Sequence, residues 1–143
     1  MPANDLLLQR FCDLYDAMGA NHIPALEAVY HPEVVFSDPL TSVQGLGKLS
    51  EYLTDSYRNV ISCRFRYADP VMDEGAITQP WTMMLRHRRL ASGRTVEVEG
   101  VSVLRIRDGL IAYHRDYYDA GQLLYENVPV LGAAVRWLRR HAA

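Results

Sequence analysis

Residues Gly109 to Asp119 read GLIAYHRDYYD, and this stretch decides the fold. The turn sequence Arg107-Asp108-Gly109 precedes it, and alternate residues of a strand share a face, so we expect a β-strand that leaves a hairpin. One face would carry Leu110, Ala112, His114, Asp116 and Tyr118, and the other would carry Ile111, Tyr113, Arg115 and Tyr117. The first face ends in an imidazole, a carboxylate and a phenol. A carboxylate held in an apolar cavity is a candidate general base, so the strand indicates a catalytic pocket.

A period of two extends back from this strand to residue 61 and predicts four consecutive strands. The first has Ile61, Cys63, Phe65 and Tyr67 on one face. The second runs from Ile77 to Leu90, where Pro80 favours an edge or a bulge. The third runs from Arg94 to Arg107. Hairpins at Ala91-Ser92-Gly93 and at Asp108-Gly109 join the last three strands.

The first 60 residues and the last 14 have helical spacing instead. We expect helices over residues 4–19, with Asn4 as N-cap, over 23–30, over 46–60 and over 130–141, and a short strand at 34–36. Helices followed by a run of strands predict an α+β fold, in which the helices lie on one face of a curved, mostly antiparallel sheet. Such a sheet forms a cone whose interior is a pocket.

Composition fits one soluble domain that covers residues 1–143. The formal net charge of −2 gives no electrostatic case for nucleic acid. No segment is long and apolar enough to span a bilayer, and the N-terminus has no basic region before an apolar run, so we expect a cytoplasmic protein. The five histidines and two cysteines have no metal-ligand spacing, so neither a metal nor a cofactor is expected.

Three stretches resemble the NTF2-like superfamily in its SnoaL-like branch. They are the segment from Leu26 to Pro39, the Arg105-Ile106-Arg107-Asp108-Gly109-Leu110-Ile111 hairpin, and His114-Arg115-Asp116-Tyr117-Tyr118-Asp119. The resemblance implies the cone fold and a homodimer. It leaves the activity open, because the family includes isomerases, epoxide hydrolases, cyclases, ligand binders and transport adaptors. The dimer would cover apolar residues of the convex sheet face, which are Val101, Val103, Ile111 and Tyr113.

The resemblance places candidate catalytic residues at two positions. Asp38, in its Asp-Pro context, matches the general base of the ketosteroid isomerases, although the other two groups of that site correspond to Phe11, with Tyr15 one turn away, and to Ser102. The alternative role of Asp38 is to start a turn. Asp116 resembles the base of the SnoaL-like cyclases and of the limonene epoxide hydrolases. The Arg-x-Asp pair of those hydrolases occurs nowhere in this chain.

Two functions remain open. The first is a cofactor-independent enzyme that transfers a proton on a small apolar organic molecule, or activates water, with Asp116 as base, His114 assisting and Asp38 as a secondary group. The second is a non-catalytic binding or adaptor module. In both, the candidate substrate contacts are Phe11, Tyr15, Tyr57, Trp81, Met84, Arg86, Ser102 and Tyr118. The basic run from Arg86 to Arg89 would be a solvated surface or an anion site. The tail helix would cap the cone or contact a second subunit, and no membrane association is expected.

Overall fold

The computed structural model describes residues 2–124 and 129–142. Its elements, in chain order, are α1 (Pro2–Asp16), β1 (Tyr30–Ser37), β2 (Ser42–Gln44), α2 (Leu46–Tyr57), β3 (Val60–Tyr67), β4 (Val71–Met72), β5 (Ala76–His87), β6 (Val96–Arg107), β7 (Leu110–Tyr118), α3 (Ala120–Leu123) and α4 (Pro129–Ala142). The sheet has the strand order β2-β1-β7-β6-β5-β3, with β4 paired to β5. Strands β1 and β7 are parallel, and the other pairs are antiparallel. The expected α+β cone is confirmed.

Helices α1 and α2 pack against one face of the curved sheet and close a core between them. In α1 the buried side chains Leu7, Phe11, Leu14 and Tyr15 recur at spacings of three and four, which places them on one stripe. In α2 the buried side chains Leu49, Leu53 and Tyr57 recur every four residues. Both stripes join one hydrophobic cluster with the concave face of the sheet.

The predicted helix over residues 23–30 is wrong. A single turn forms there, with the Tyr30 N–H donating to the Leu26 carbonyl at 2.9 Å. Tyr30 then enters β1 and pairs with Ile111 of β7, so strand pairing replaces a second helical turn. Pro32 lies inside this strand, where the register between β1 and β7 is irregular and its missing N–H breaks no regular ladder.

One further expectation is corrected, the N-cap role of Asn4, and two short strands were not predicted. Helix α1 begins at Pro2 and ends at Asp16, so Asn4 lies within it; its amide donates to the Asp73 and Glu74 carbonyls at 2.9 and 3.1 Å. The loop after Pro39 contains β2, which pairs with β1. The short strand β4 lies between β3 and β5 in the sequence.

The hairpin from β6 to β7 forms as expected. Asp108 and Gly109 have φ of 54° and 73°, the left-handed pair that a two-residue turn of this kind requires. A bulge follows: Ile106 pairs with Ile111, whereas Arg105 pairs with Tyr113, so Ala112 is the extra residue. The bulge places Ile111, which is fully buried, on the same face as His114. Its expected position on the convex face is therefore wrong.

The convex face keeps the other three expected residues, Val101, Val103 and Tyr113, all half-buried. Helix α4 is held to the end of β7 by an ion pair between Arg139 and Asp119. Its side chains Leu131, Trp137 and Leu138 are exposed. In the described part of the chain no helix has the length and apolar character needed to cross a membrane.

Candidate active site

A cavity of about 410 Å³ lies between the concave sheet face and helices α1 and α2. This volume is in the range of small-molecule sites, which run from about 300 to 1,000 Å³. Most of its lining is apolar or aromatic, with Phe11, Phe36, Leu53, Phe65 and Leu85 as examples. The acidic residues among the lining are Asp38 and Asp116. An apolar cavity with few polar groups is the usual form of a binding site.

Asp116 is fixed by two hydrogen bonds to the same oxygen. The Ser102 hydroxyl, on the neighbouring strand β6, donates to Oδ1 at 2.5 Å, and Nε2 of His114 lies 2.7 Å from the same atom. The Trp81 indole N–H donates in turn to the Ser102 hydroxyl at 2.9 Å. Within residues 2–124 and 129–142, Oδ2 of Asp116 accepts no hydrogen bond. One carboxylate oxygen is therefore held in place and the other is available to a molecule in the cavity.

The position of Trp81 depends on Gly100. A Cβ atom at residue 100 would lie 2.4 Å from the Trp81 ring and 2.8 Å from the Tyr117 carbonyl oxygen. The absence of a side chain lets the indole lie against β6, from which it reaches Ser102. Gly100 thus belongs to the support of the site, although it does not line the cavity.

A chain of buried hydroxyls orients His114. Its Nδ1 lies 2.8 Å from the Tyr30 hydroxyl, and that hydroxyl lies 2.7 Å from the Tyr15 hydroxyl. Every donor finds an acceptor when Tyr15 donates to Tyr30, Tyr30 donates to Nδ1 and Nε2 donates to Asp116. All the protons of the chain then point towards the carboxylate.

Aromatic packing fixes the imidazole plane. His114 is 1% exposed, and the Phe36 and Phe11 rings contact it edge-on with centroids at 4.7 and 5.4 Å. The Tyr30 ring is parallel to it, with 6° between the planes. Tyr30 is thus a central part of the site that the sequence analysis missed. Its only signal was a tyrosine before His31-Pro32, which the helical interpretation placed at a helix end.

Asp38 lines the same cavity but is used differently. Its Oδ1 accepts the backbone N–H groups of Leu40 and Thr41 at 2.8 and 2.9 Å, which closes the turn between β1 and β2. Its Oδ2 accepts the Tyr52 hydroxyl at 2.5 Å. The turn role that the sequence left open is therefore present, and each oxygen is engaged.

Two phenols stand beside these carboxylates. Burial, followed by the hydrogen bond to Asp38 and its charge, raises the pKa of Tyr52 well above its usual value. Burial raises the pKa of Tyr118 in the same way, and the Asp38 carboxylate adds to the effect. Both groups stay protonated at neutral pH. Tyr118 donates to no other residue in the described ranges, so its hydroxyl is free to face a ligand.

The remaining predicted contacts divide into residues that line the cavity and residues that do not. Phe11, Tyr15, Tyr57, Trp81, Ser102 and Tyr118 line the cavity. Met84 and Arg86 do not, and their predicted substrate contact is corrected. On β5 the residues on the Trp81 face are Met83, Leu85 and His87, so even-numbered residues point away. Arg86 is exposed and donates from Nε to the Gly93 carbonyl at 2.9 Å.

Three further lining residues, Tyr52, Cys63 and Met83, were not predicted as contacts, and His87 and Arg89 of the basic run also line the cavity. Burial raises the pKa of the Cys63 thiol to about 11, which makes it a poor nucleophile. Among the described residues, no group of three His, Cys, Asp or Glu side chains is arranged to hold a metal ion.

Comparison with known proteins identifies the family. The sequence matches the SnoaL-like domain over residues 11–114. The chain belongs to the SnoaL-like family. A search of curated proteins found no sequence match.

Solved structures share the fold of this SnoaL-like chain. An NTF2-like protein of unknown function from Burkholderia pseudomallei superposes with a TM-score of 0.75 at 14% identity, over 87% of this chain and 96% of that one. A proposed SnoaL-like polyketide cyclase from Jannaschia sp. gives 0.73 at 13% identity, over 86% and 90%. AclR from Streptomyces galilaeus, a proposed hydroxylase, gives 0.70 at 15% identity, over 93% and 98%. At these identities the likeness establishes the fold alone.

Proposed function

We propose that this protein is a cofactor-independent enzyme that moves a proton on a small apolar molecule, at a carbon next to a carbonyl group. One observation carries the proposal: Asp116 has one oxygen held by Ser102 and His114 and a second, unengaged oxygen in an apolar cavity. A base fixed in this way meets a carbon acid without first reorganising solvent.

The residues divide the work of such a reaction. Oδ2 of Asp116 would take the proton from carbon. The electron pair of the broken C–H bond would move towards the carbonyl oxygen, which gives an enolate. The Tyr118 hydroxyl lines the same cavity and would donate a hydrogen bond to that oxygen, since its raised pKa keeps it protonated. Return of the proton to another carbon gives isomerisation. Attack of the enolate carbon on a second carbonyl, whose oxygen then takes the proton from Asp116, gives cyclisation.

The relatives support a small-molecule substrate without naming it. The Jannaschia protein is described as a proposed polyketide cyclase and AclR as a proposed hydroxylase. Water activation by the same carboxylate is the less favoured reaction, because the chain has no Arg-x-Asp sequence to supply a paired acid.

Hydrogen exchange at carbon tests the proposal directly. In D₂O the protein should speed deuterium entry next to the carbonyl of apolar ketones, with β-tetralone as the first probe, as measured by NMR. Asp116→Asn should remove the acceleration, because the amide cannot take up the proton. Asp108→Asn, which changes an exposed carboxylate in the β6–β7 turn, is the matched control and should exchange like the parent. No acceleration with any ketone, or an active Asp116→Asn variant, would refute the proposal.

A specific observation favours the second candidate, a non-catalytic binding module. Both cavity carboxylates are held by hydrogen bonds from neighbouring side chains, an arrangement that also suits groups that only orient a bound molecule. Binding of the ketones without any exchange would support this function.

We also propose a homodimer through the convex face. Its half-buried residues Val101, Val103 and Tyr113 form the apolar surface that a second copy would cover. Val103→Glu should then shift the mass measured by sedimentation equilibrium from dimer to monomer, whereas an unchanged mass would argue against this face.

A further inference from the structure

The end of the cavity far from Asp116 is basic. His87, Arg89 and Leu90 line it, and we call these three residues the basic end. The surrounding segment, residues 75–96, contains four arginines and no aspartate or glutamate. Two of the arginines hold the loop: Arg86 donates to the Gly93 carbonyl, and Arg94 donates to the Ala91 carbonyl at 3.0 Å. The Arg89 guanidinium has no ion-pair partner among the described residues.

His87 offers a second donor at this end. The backbone N–H of Arg89 donates to Nδ1 of His87 at 3.1 Å, so the proton of the neutral ring is on Nε2. Burial and the Arg89 charge lower the pKa of His87, which favours this neutral form. Nε2–H has no acceptor in the described part of the chain. A cation and a neutral donor therefore stand together at this end of the cavity.

The two ends of the cavity are well separated. Trp81 reaches Ser102 beside Asp116, and His87 lies six residues further along β5. Six strand residues span about 20 Å, and the bend of the sheet shortens the direct path. The lining between the ends includes Met83, Leu85 and Phe65, which carry no charge.

We propose that the substrate is an elongated apolar molecule that ends in a carboxylate, which the Arg89 guanidinium and Nε2–H of His87 bind. This inference rests on the proposed function in one respect, that Asp116 is the reacting group at the opposite end. The arrangement fixes the direction of binding. The carboxylate is attracted by Arg89 and repelled by Asp38 and Asp116, so the substrate binds with its other end, which carries the reacting carbon, towards the base.

Matched acids and amides test the proposal by binding alone. Phenylbutanoate, phenylhexanoate and phenyloctanoate are compared with their primary amides by isothermal titration calorimetry at low and at physiological salt. At least one acid should bind about tenfold more tightly than its amide, because only the acid forms charge-assisted hydrogen bonds at the basic end. Arg89→Gln should remove most of this preference.

Arg88→Gln is the matched control, since Arg88 is exposed, next in sequence, of equal charge and outside the cavity lining. It should keep the preference. The proposal would be overturned by equal binding of acid and amide or by no binding of any acid. An equal loss in Arg88→Gln would also overturn it, because any nearby positive charge would then attract the acid as well as Arg89 does.

The binding measurement is repeated with Asp116→Asn, which should keep the acid preference because Arg89 and His87 are unchanged. Binding at the basic end and hydrogen exchange at carbon are then tested separately. An acid preference without hydrogen exchange in the parent protein leaves the carboxylate site standing and refutes the catalytic function. Exchange without an acid preference refutes the carboxylate site alone.

Discussion

The end of β7 and the turn after β1 each place a carboxylate on the same cavity, and the surrounding chain uses the two differently. Asp38 has its oxygens engaged by two backbone N–H groups and by Tyr52. Asp116 has one oxygen engaged by two donors and the other unengaged within the described residues. A cavity carboxylate is thus a candidate base according to how many of its acceptor sites the fold leaves open. Its position in the cavity alone does not decide this.

The largest expected difference between them is in turnover. Asp116→Asn should lower deuterium exchange into an accepted ketone by about 10²- to 10⁴-fold, the usual contribution of a general base. Asp38→Asn keeps an acceptor oxygen for the turn and should lower exchange less than about tenfold. NMR initial rates under identical conditions measure both. A larger loss at Asp38 would reverse the assignment and make the turn aspartate the base.

The second difference is in stability, with the opposite order. Asp38→Ala should lower the free energy of unfolding by about 2 kcal/mol, because two turn N–H groups and the Tyr52 hydroxyl lose their acceptor. Asp116→Asn retains an oxygen for Ser102 and His114 and should lose less than about 1 kcal/mol. Urea unfolding gives both values, with Asp38→Asn as control for the turn. A lower free energy of unfolding for Asp116→Asn than for Asp38→Ala would contradict this order.

The smallest difference is in the alkaline pH dependence. Burial and then the Asp38 charge raise the pKa of Tyr118, so its phenol keeps its proton above about pH 10, where tyrosines of the unfolded chain ionise. The folded chain then binds more protons than the unfolded chain, and the free energy of unfolding falls as pH rises above that point. Near-ultraviolet phenolate absorbance follows the titration.

Asp38→Asn should move the Tyr118 titration slightly downward, since burial is the larger cause and remains. Asp116→Asn should move it less, because the Asp116 charge ranks behind that of Asp38. The Tyr118→Phe variant identifies the relevant phenol in the absorbance change. A larger shift in Asp116→Asn than in Asp38→Asn would contradict the ranking of the two charges.

The sequence predicted those parts of the fold that depend on local pattern. The alternation at the end of β7 correctly placed His114, Asp116 and Tyr118 on one face, and the Asp108-Gly109 turn formed where expected. The turn role that the sequence left open for Asp38 is present in the structure. These features need only near neighbours in the chain.

What the sequence missed depends on pairing between distant segments. Tyr30 becomes part of the site because β1 lies parallel to β7, 84 residues from His114 in sequence. Ile111 lies on the face opposite to the predicted one because Ala112 bulges. Ile61 is 42% exposed because the register of β3 shifts at that point. Met84 and Arg86 were assigned to the wrong face because a long extended segment with Pro80 does not show where its alternation is anchored. A bulge or a parallel partner leaves little mark on hydrophobic periodicity.

The bulge at Ala112 changes which residues of β7 face the cavity. Before the bulge the odd-numbered residues face the cavity side, and after it the even-numbered residues do. One inserted residue therefore lets Ile111 and the His114–Asp116 pair share that side. Deletion of Ala112 would force either the core isoleucine or the ionisable pair to the opposite face. When distant relatives are aligned, a gap misplaced by one residue here would assign the cavity-facing side chains to the wrong set of positions.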